Sequence, residues 1–114
     1  MLDVKKVLTK ILSMFNITKV TFTTNTGSNY SGYGGCFYEK CGRLVHIHIG
    51  VSGLSGSSAI KTIPEIKPNV QQFGFGTGGS TNSFCIVEVN TSGGINVYPS
   101  TGATYCGADL YYLV

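Results

Sequence analysis

YGGCFYEKCGRLVHIHIGV, residues 33–51, predicts a β-hairpin around which the rest of the chain can be arranged. One strand precedes the turn EKCG at 39–42, and the other strand follows it. Glycine tolerates left-handed backbone, so Gly42 favours a three-residue loop that consists of a type I turn and a bulge. In that register Phe37 lies opposite Val45.

The predicted register gives the hairpin two different faces, because opposed residues on paired strands point the same way. The core face carries Phe37, Val45, Ile47 and Ile49, and the other face carries Cys36, Tyr38, Leu44, His46 and His48. A two-residue loop would shift the pairing by one residue and move Cys36 into the core. We favour the bulged loop because it keeps Phe37 with the aliphatic side chains.

The composition describes one domain with a neutral, hydroxyl-rich surface. The chain has 114 residues, and only 11% of them are charged, against roughly 25% in typical soluble domains. The net charge is +3, with Lys5, Lys6 and Lys10 grouped near the N-terminus. Since no basic stripe follows them, we expect no nucleic-acid partner.

The remaining pattern predicts an all-β fold. Roughly seven to nine short strands, separated by Gly, Ser and Asn turns, indicate an antiparallel β-sandwich, jelly-roll-like, at residues 17–114. Pro64 and Pro68 place residues 59–69 at a sheet edge. Other strands are expected at 17–24, with Val20 and Phe22 on one face, and at 70–75, with Phe73 and Phe75 on one face. The predicted hairpin of 83–90 and 95–98 has five inward residues: Cys85, Val87, Val89, Ile95 and Val97. The predicted last strand at 109–114 has three: Leu110, Tyr112 and Val114.

Residues 1–16 predict an amphipathic helix, capped by Asp3 and running to about residue 15. Its apolar stripe consists of Val4, Val7, Leu8, Ile11, Leu12 and Phe15. A helix this short is marginal alone in water, so the stripe needs a partner surface. The stripe either docks on its own domain or forms a parallel bundle between chains. The nearly heptad spacing favours the bundle, and we expect a homotrimer.

The sequence shows neither an export signal nor a membrane span. Lys10 interrupts the first apolar run, and no segment approaches the roughly 20 apolar residues that a bilayer requires. We therefore expect synthesis in the bacterial cytoplasm and reduced cysteines. If a disulfide forms, Cys85–Cys106 is the expected pair, because both residues belong to the C-terminal half of the sandwich.

His46 and His48 are the best chemical candidates, because residues two apart on a strand share a face. Ordinary hydrogen bonding is the favoured interpretation, so no resident cofactor is expected. A metal is the alternative: six imidazole nitrogens on a threefold axis suit an octahedral ion, and Cys36 could join a tetrahedral zinc site. The five acidic residues are scattered and form no glycosidase pair, so we do not expect an enzyme.

The runs YEKCGRLVHIHI, IPEIKPN and FCIVEVNTSGGINVYPSTGATY resemble the C-terminal head domains of phage tail-fibre, baseplate and receptor-binding proteins from phages or prophages of Gram-positive bacteria. Those heads carry a YxKxGRVVHV-like strand, an I/L-P-x-x-x-P segment and a strand–SG–strand hairpin. This sequence departs from them at Cys41, where an aromatic or polar residue is usual, and in having no Trp. Some phage fibres and spikes also carry HxH metal sites.

The resemblance implies a virion protein that is trimeric, contacts other phage structural proteins and binds a host cell-surface saccharide. Tyrosines near turns would then stack on sugar rings, with Asn, Ser and Thr as hydrogen-bonding partners. The candidates are Tyr30, Tyr33, Tyr98 and Tyr105. The alternative for each tyrosine is that it covers the core and leaves its hydroxyl in water. The alternative for the whole chain is a decoration or assembly module of a phage particle that binds no small ligand.

Overall fold

The computed structural model describes residues 3–14 and 16–114 of the chain. It is mostly β, with 47% of residues in strands, and has one short N-terminal helix. The elements are α1 (Val4–Met14), β1 (Thr18–Thr21), β2 (Ser28–Asn29), β3 (Phe37–Cys41), β4 (Leu44–Ser52), β5 (Ser58–Thr62), β6 (Gln72–Thr77), β7 (Phe84–Val89), β8 (Gly94–Pro99) and β9 (Cys106–Leu113). Single 3-10 turns cover Ser31–Tyr33 and Pro64–Ile66.

The strands form one curled antiparallel sheet in the order β1-β3-β4-β9-β6-β7-β8-β5, with β2 paired to the end of β4. Strand β9 joins the two halves, since it pairs along β4 and then briefly with β6, where Gly76 lies opposite Ala108. A Cβ on Gly76 would lie 1.9 Å from the Gly107 carbonyl oxygen, so only glycine fits this crossing. The curl brings the ends together, and the Asn25 amide donates to the Ile60 carbonyl at 2.7 Å.

One apolar core lies inside the curl, with side chains from both halves of the sheet. Apart from Phe37 and the partly buried Val114, the predicted inward residues of the two hairpins and of the last strand are confirmed as buried: Val45, Ile47, Ile49, Cys85, Val87, Val89, Ile95, Val97, Leu110 and Tyr112. The Tyr112 hydroxyl donates to the Ile66 carbonyl, which ties β9 to the turn after the edge strand β5. The predicted edge position of this segment is confirmed.

The predicted register of the first hairpin is wrong. Cys41 pairs with Leu44, so the loop has two residues, and Phe37 pairs with His48 rather than Val45. Gly42 has φ +58° while Arg43 keeps a negative φ, which is the pattern of a type II′ turn whose twist suits the strands. The pairing is shifted by three residues, and any odd shift reverses every side chain of the strand because side chains alternate between the two faces.

The reversal exchanges the two faces of β3. Cys36 is buried, with 2% of its surface exposed, and Tyr38 packs against the core. Phe37 lies on the outer face instead, between the rings of the two histidines and beneath the Lys19 ammonium group at 4.2 Å. Phe37 therefore makes ring and cation contacts on the outer face, while the smaller cysteine occupies the core position.

Three other strands differ in extent or direction. The first strand ends at Thr21 and is exposed throughout, although Phe22 beyond it is buried. Phe73 and Phe75 share a face as expected, and that face is the outer one. The last strand begins at Cys106 rather than at residue 109.

Helix α1 begins where predicted, and the Asp3 carboxylate accepts the Lys6 amide at 3.2 Å, which is the capping contact expected of this aspartate. The stripe residues Val4, Val7, Leu8 and Ile11 are between 37% and 62% exposed, so they are not packed against the sheet. The side chain of Leu12 and the whole of Phe15 lie outside the described residues. Within the described ranges, the chain contains no helix with the length and apolarity to cross a membrane.

Candidate functional site

The main polar cluster lies on the outer face of β3, β4 and β9. Alternation along β4 directs His46 and His48 outward, as predicted, because the residues between and beside them are buried. Strand β9 places Asp109 directly opposite His48, and β3 places Glu39 opposite His46. The β3–β4 hairpin and the distant strand β9 thus bring two imidazoles and two carboxylates to one surface.

Asp109 lies between the two histidines. Its Oδ1 is 2.7 Å from Nε2 of His46 and 2.8 Å from Nδ1 of His48. The other ring nitrogens also face oxygen atoms: Nδ1 of His46 is 3.6 Å from Oε2 of Glu39, and Nε2 of His48 contacts the Tyr33 carbonyl oxygen. Among the described residues, Asp109, His46 and His48 form a group of potential metal ligands, with ligand atoms within 4.8 Å of one another.

Two aromatic rings hold the imidazoles in place. Tyr111 stacks on His46 with ring centres 4.3 Å apart and planes 6° apart. Phe37 stacks on His48 at 4.9 Å and 23°. The histidine side chains keep less than a fifth of their surface exposed, whereas 49% of the Asp109 side chain is exposed. The cluster is therefore rigid on its sheet side and open to solvent at the carboxylate.

Two opposing influences act on the Asp109 carboxyl. Partial burial by itself raises its pKa, because it disfavours the charged form. Hydrogen bonds from His46 and His48, together with their charge, outweigh burial and leave the pKa of Asp109 below its ordinary value. Asp109 is therefore an ionised carboxylate near neutral pH.

A glycine pair positions the Tyr33 carbonyl. Gly50 and Gly107 face each other on β4 and β9, next to the His48–Asp109 pair. A Cβ on Gly50 would lie 2.9 Å from Cβ of Tyr33, and one on Gly107 would lie 3.0 Å from its ring. Because both Cβ atoms are absent, the segment at 30–35 lies directly on the sheet, and its carbonyl reaches His48.

The four candidate tyrosines separate into two places. Tyr30, Tyr33 and Tyr105 come together, with ring centres 4.9–6.2 Å apart in edge-to-face contacts. Their rings pack mainly on one another and are half-buried. Tyr98 lies elsewhere, on the outer face of β8, where its hydroxyl is 3.0 Å from Oε2 of Glu88. That hydrogen bond raises the pKa of Tyr98 and fixes the direction of its ring.

Tyr98 lines an open groove of about 650 Å³ between residues 80–86 and 98–103. Hydroxyl and amide side chains from Thr81, Asn82 and Thr101 line the same groove, and none of its described lining residues carries a charge. Asn82 has φ +64°, a left-handed conformation that asparagine tolerates better than most residues. The exposed Phe84 ring forms part of the wall.

The cysteines do not join the histidines. Cys36, the proposed third zinc ligand, is buried in the core on the opposite side of the sheet, so that zinc site is ruled out by the hairpin register. Cys85 and Cys106 are hydrogen-bonded to each other in the core, which brings the expected pair together as thiols. The hydrogen bond with Cys85, followed by burial, raises the pKa of Cys106.

The sequence prediction missed Asp109 as a partner of the histidines. The inward assignment of Leu110 and Tyr112 already directs Asp109 outward, and this was the available signal. Local sequence patterns do not predict the pairing of β9 with β4, because it connects residues about 60 positions apart. No protein-family model matches the chain, and no curated protein is significantly similar to it.

Proposed function

We propose that this chain is the head domain of a phage tail-fibre, baseplate or receptor-binding protein that recognises a host cell-surface saccharide. The observation that carries the proposal is the groove beside Tyr98. An exposed tyrosine ring stands there beside uncharged hydroxyl and amide groups, the combination that sugars require: a flat apolar face and hydrogen-bonding partners.

The orientation of the Tyr98 ring supports this role. The ring is tethered through its hydroxyl to Glu88, whose other carboxylate oxygen accepts from the Asn96 amide at 3.2 Å. A ring held in one direction loses less conformational entropy when a ligand stacks on it. The edge-to-face group of Tyr30, Tyr33 and Tyr105 is a weaker candidate, because those rings already cover one another.

The architecture that we propose for the head is a jelly-roll-like β-sandwich. Its support is the single core between the β4–β9 half of the curled sheet and the β7–β8 half. We also propose a homotrimer, supported by the exposed apolar stripe of α1, which water alone would not stabilise. Assembly in a virion follows from this proposal.

An assembly module without a small ligand is the second candidate, and a separate observation favours it. Phe73 and Phe75 on β6 are 53% and 72% exposed, and Phe84 lies beside them on β7. Three exposed phenylalanines on one sheet face are typical of a protein contact rather than of a sugar site.

Saturation-transfer NMR with saccharides selected on a glycan array would test the proposal. Tyr98→Ala should abolish binding, and Tyr98→Phe should keep most of it because the ring face remains. Tyr105→Ala is the matched control, since it removes a tyrosine that does not line the groove. Loss of binding in the control alone would move the site to the tyrosine group. Absence of any saccharide ligand, together with self-association that Phe75→Ser abolishes, would favour the assembly module.

A further inference from the structure

We propose that His46, His48 and Asp109 form a binding site for one divalent transition-metal ion in each chain. The ligand atoms would be Nε2 of His46, Nδ1 of His48 and a carboxylate oxygen of Asp109. The proposal goes beyond saccharide recognition, and it concerns β3, β4 and β9, a different part of the outer face of the sheet from the groove beside Tyr98.

The four imidazole nitrogens point in directions that suit a metal ion. Each histidine presents one nitrogen to Asp109 and the other to an oxygen acceptor outside the cluster, which is Glu39 for His46 and the Tyr33 carbonyl for His48. Histidines that bind metals have this arrangement, because the outer acceptor fixes the tautomer and directs the lone pair of the inner nitrogen.

His48 has a further property that suits a metal ion. A carbonyl oxygen can only accept, so Nε2 of His48 must carry a proton to bond the Tyr33 carbonyl. In a neutral ring, Nδ1 then has a lone pair, and it faces the ionised Asp109 oxygen at 2.8 Å. Two acceptors at this distance repel each other unless a positive charge lies between them. A proton on Nδ1 of His48 or a bound cation supplies that charge, and we infer that the cation can take the place of the proton.

The three ligand atoms lie within 4.8 Å of one another, so they must adjust to bind a small cation. Ligand bonds of about 2.1 Å place neighbouring ligand atoms about 3.0–3.4 Å apart in octahedral or tetrahedral geometry. The Asp109 oxygen lies 2.7 and 2.8 Å from the two nitrogens, so it must retreat by a few tenths of an ångström. The half-exposed Asp109 side chain has room to do so, whereas Tyr111 and Phe37 hold the rings.

The ligand set selects the class of ion. Two imidazoles and one carboxylate suit Zn²⁺, Fe²⁺, Co²⁺ or Ni²⁺ rather than Ca²⁺ or Mg²⁺, which prefer oxygen ligands. Three protein ligands leave further coordination positions, which would face solvent at the exposed side of Asp109. The ligands all belong to one chain, so the expected stoichiometry is one ion per chain, not one ion per three chains.

Calorimetric titration of the chelator-treated full chain with ZnCl₂ tests the proposal. We expect one Zn²⁺ per chain. Asp109→Asn and His48→Gln should each weaken binding by more than the roughly 10–100-fold cost that is usual for an orienting residue, and Glu39→Gln should fall within that range. Glu65→Gln, which removes an exposed carboxylate from the distant Pro64–Ile66 turn, should leave the affinity unchanged.

Two spectra separate this site from the alternatives. Nitrogen-15 NMR should show Zn²⁺ on Nε2 of His46 and on Nδ1 of His48, and circular dichroism should show that each variant keeps its strands. The Co²⁺ complex should lack the charge-transfer band of a thiolate ligand. Binding that Asp109→Asn leaves intact, a thiolate band, or one ion per three chains would each overturn the proposal.

Discussion

His48 and Asp109 face each other across the β4–β9 pair, and Nδ1 of the histidine lies 2.8 Å from Oδ1 of the aspartate. The contact joins residues 61 positions apart. Since β9 also carries core residues on its inner face, the packing that buries Leu110 sets the position of Asp109. The backbone of the outer cluster is therefore held in place by the packing of the core.

The helix stripe should control the oligomeric state. Replacing Leu8 and Ile11 with Asp places charge on the apolar face, so we expect the trimer to dissociate while the strand signal in circular dichroism stays unchanged. Multi-angle light scattering measures the mass. Thr9→Asp on the polar face is the control and should leave the trimer intact. A monomeric unmodified protein at concentrations well above micromolar would refute the trimer itself.

Tyr112→Phe should destabilise the fold, because it removes the donor to the Ile66 carbonyl. We expect a loss of about 1–3 kcal/mol, the usual cost of leaving a buried acceptor unsatisfied. Urea unfolding provides the measurement. Tyr111→Phe is a matched change on the exposed side of the same strand and should stay within about 0.5 kcal/mol. Equal effects of the two changes would contradict a specific role for the Tyr112 hydroxyl.

The cysteines should differ in reactivity according to burial. Cys36, Cys85 and Cys106 are buried, and burial raises the pKa of Cys36, so little reactive thiolate is available there. Cys41 is only half-buried. We expect one rapidly alkylated thiol in the native protein, absent in Cys41→Ser, and four in denatured, unreduced protein. Mass spectrometry that finds fewer than four would reveal a disulfide.

Tyr98 should titrate above the ordinary range of tyrosine. Its hydrogen bond to the Glu88 carboxylate favours the neutral phenol and raises the pKa of Tyr98. The contact is therefore present below the ordinary tyrosine pKa and is lost as the pH rises through the raised value. Ring-proton NMR should show that Glu88→Gln lowers this pKa. An unchanged value would mean that the hydrogen bond does not persist in solution.

Local patterns in the sequence predicted much of the fold. Alternating apolar residues correctly predicted the inward face of the second hairpin, because buried side chains alternate along β7 with exposed or half-buried ones. The first hairpin was harder, since both Cys36 and Phe37 suit a core and the turn alone decides between them. Gly42 satisfies two different loops, and only the observed register distinguishes them.

The candidate site was predicted in part for a similar reason. His46 and His48 follow from strand alternation, whereas Asp109 and Glu39 belong to other strands whose registers depend on the whole sheet. The tyrosines illustrate the same limit. Four candidates near turns could be named from the sequence, but only the curl of the sheet separates Tyr98 from the other three.

The absence of side chains at Gly50 and Gly107 affects His48, two residues from Gly50 on β4. The 30–35 segment packs on the paired strands β4 and β9 at these two glycines. This packing places the Tyr33 carbonyl, which sets the position of the proton on His48. The absence of a Cβ atom at both glycines thus determines the tautomer of His48. Replacing either glycine with alanine would displace the Tyr33 carbonyl, which determines the nitrogen of His48 that carries the proton.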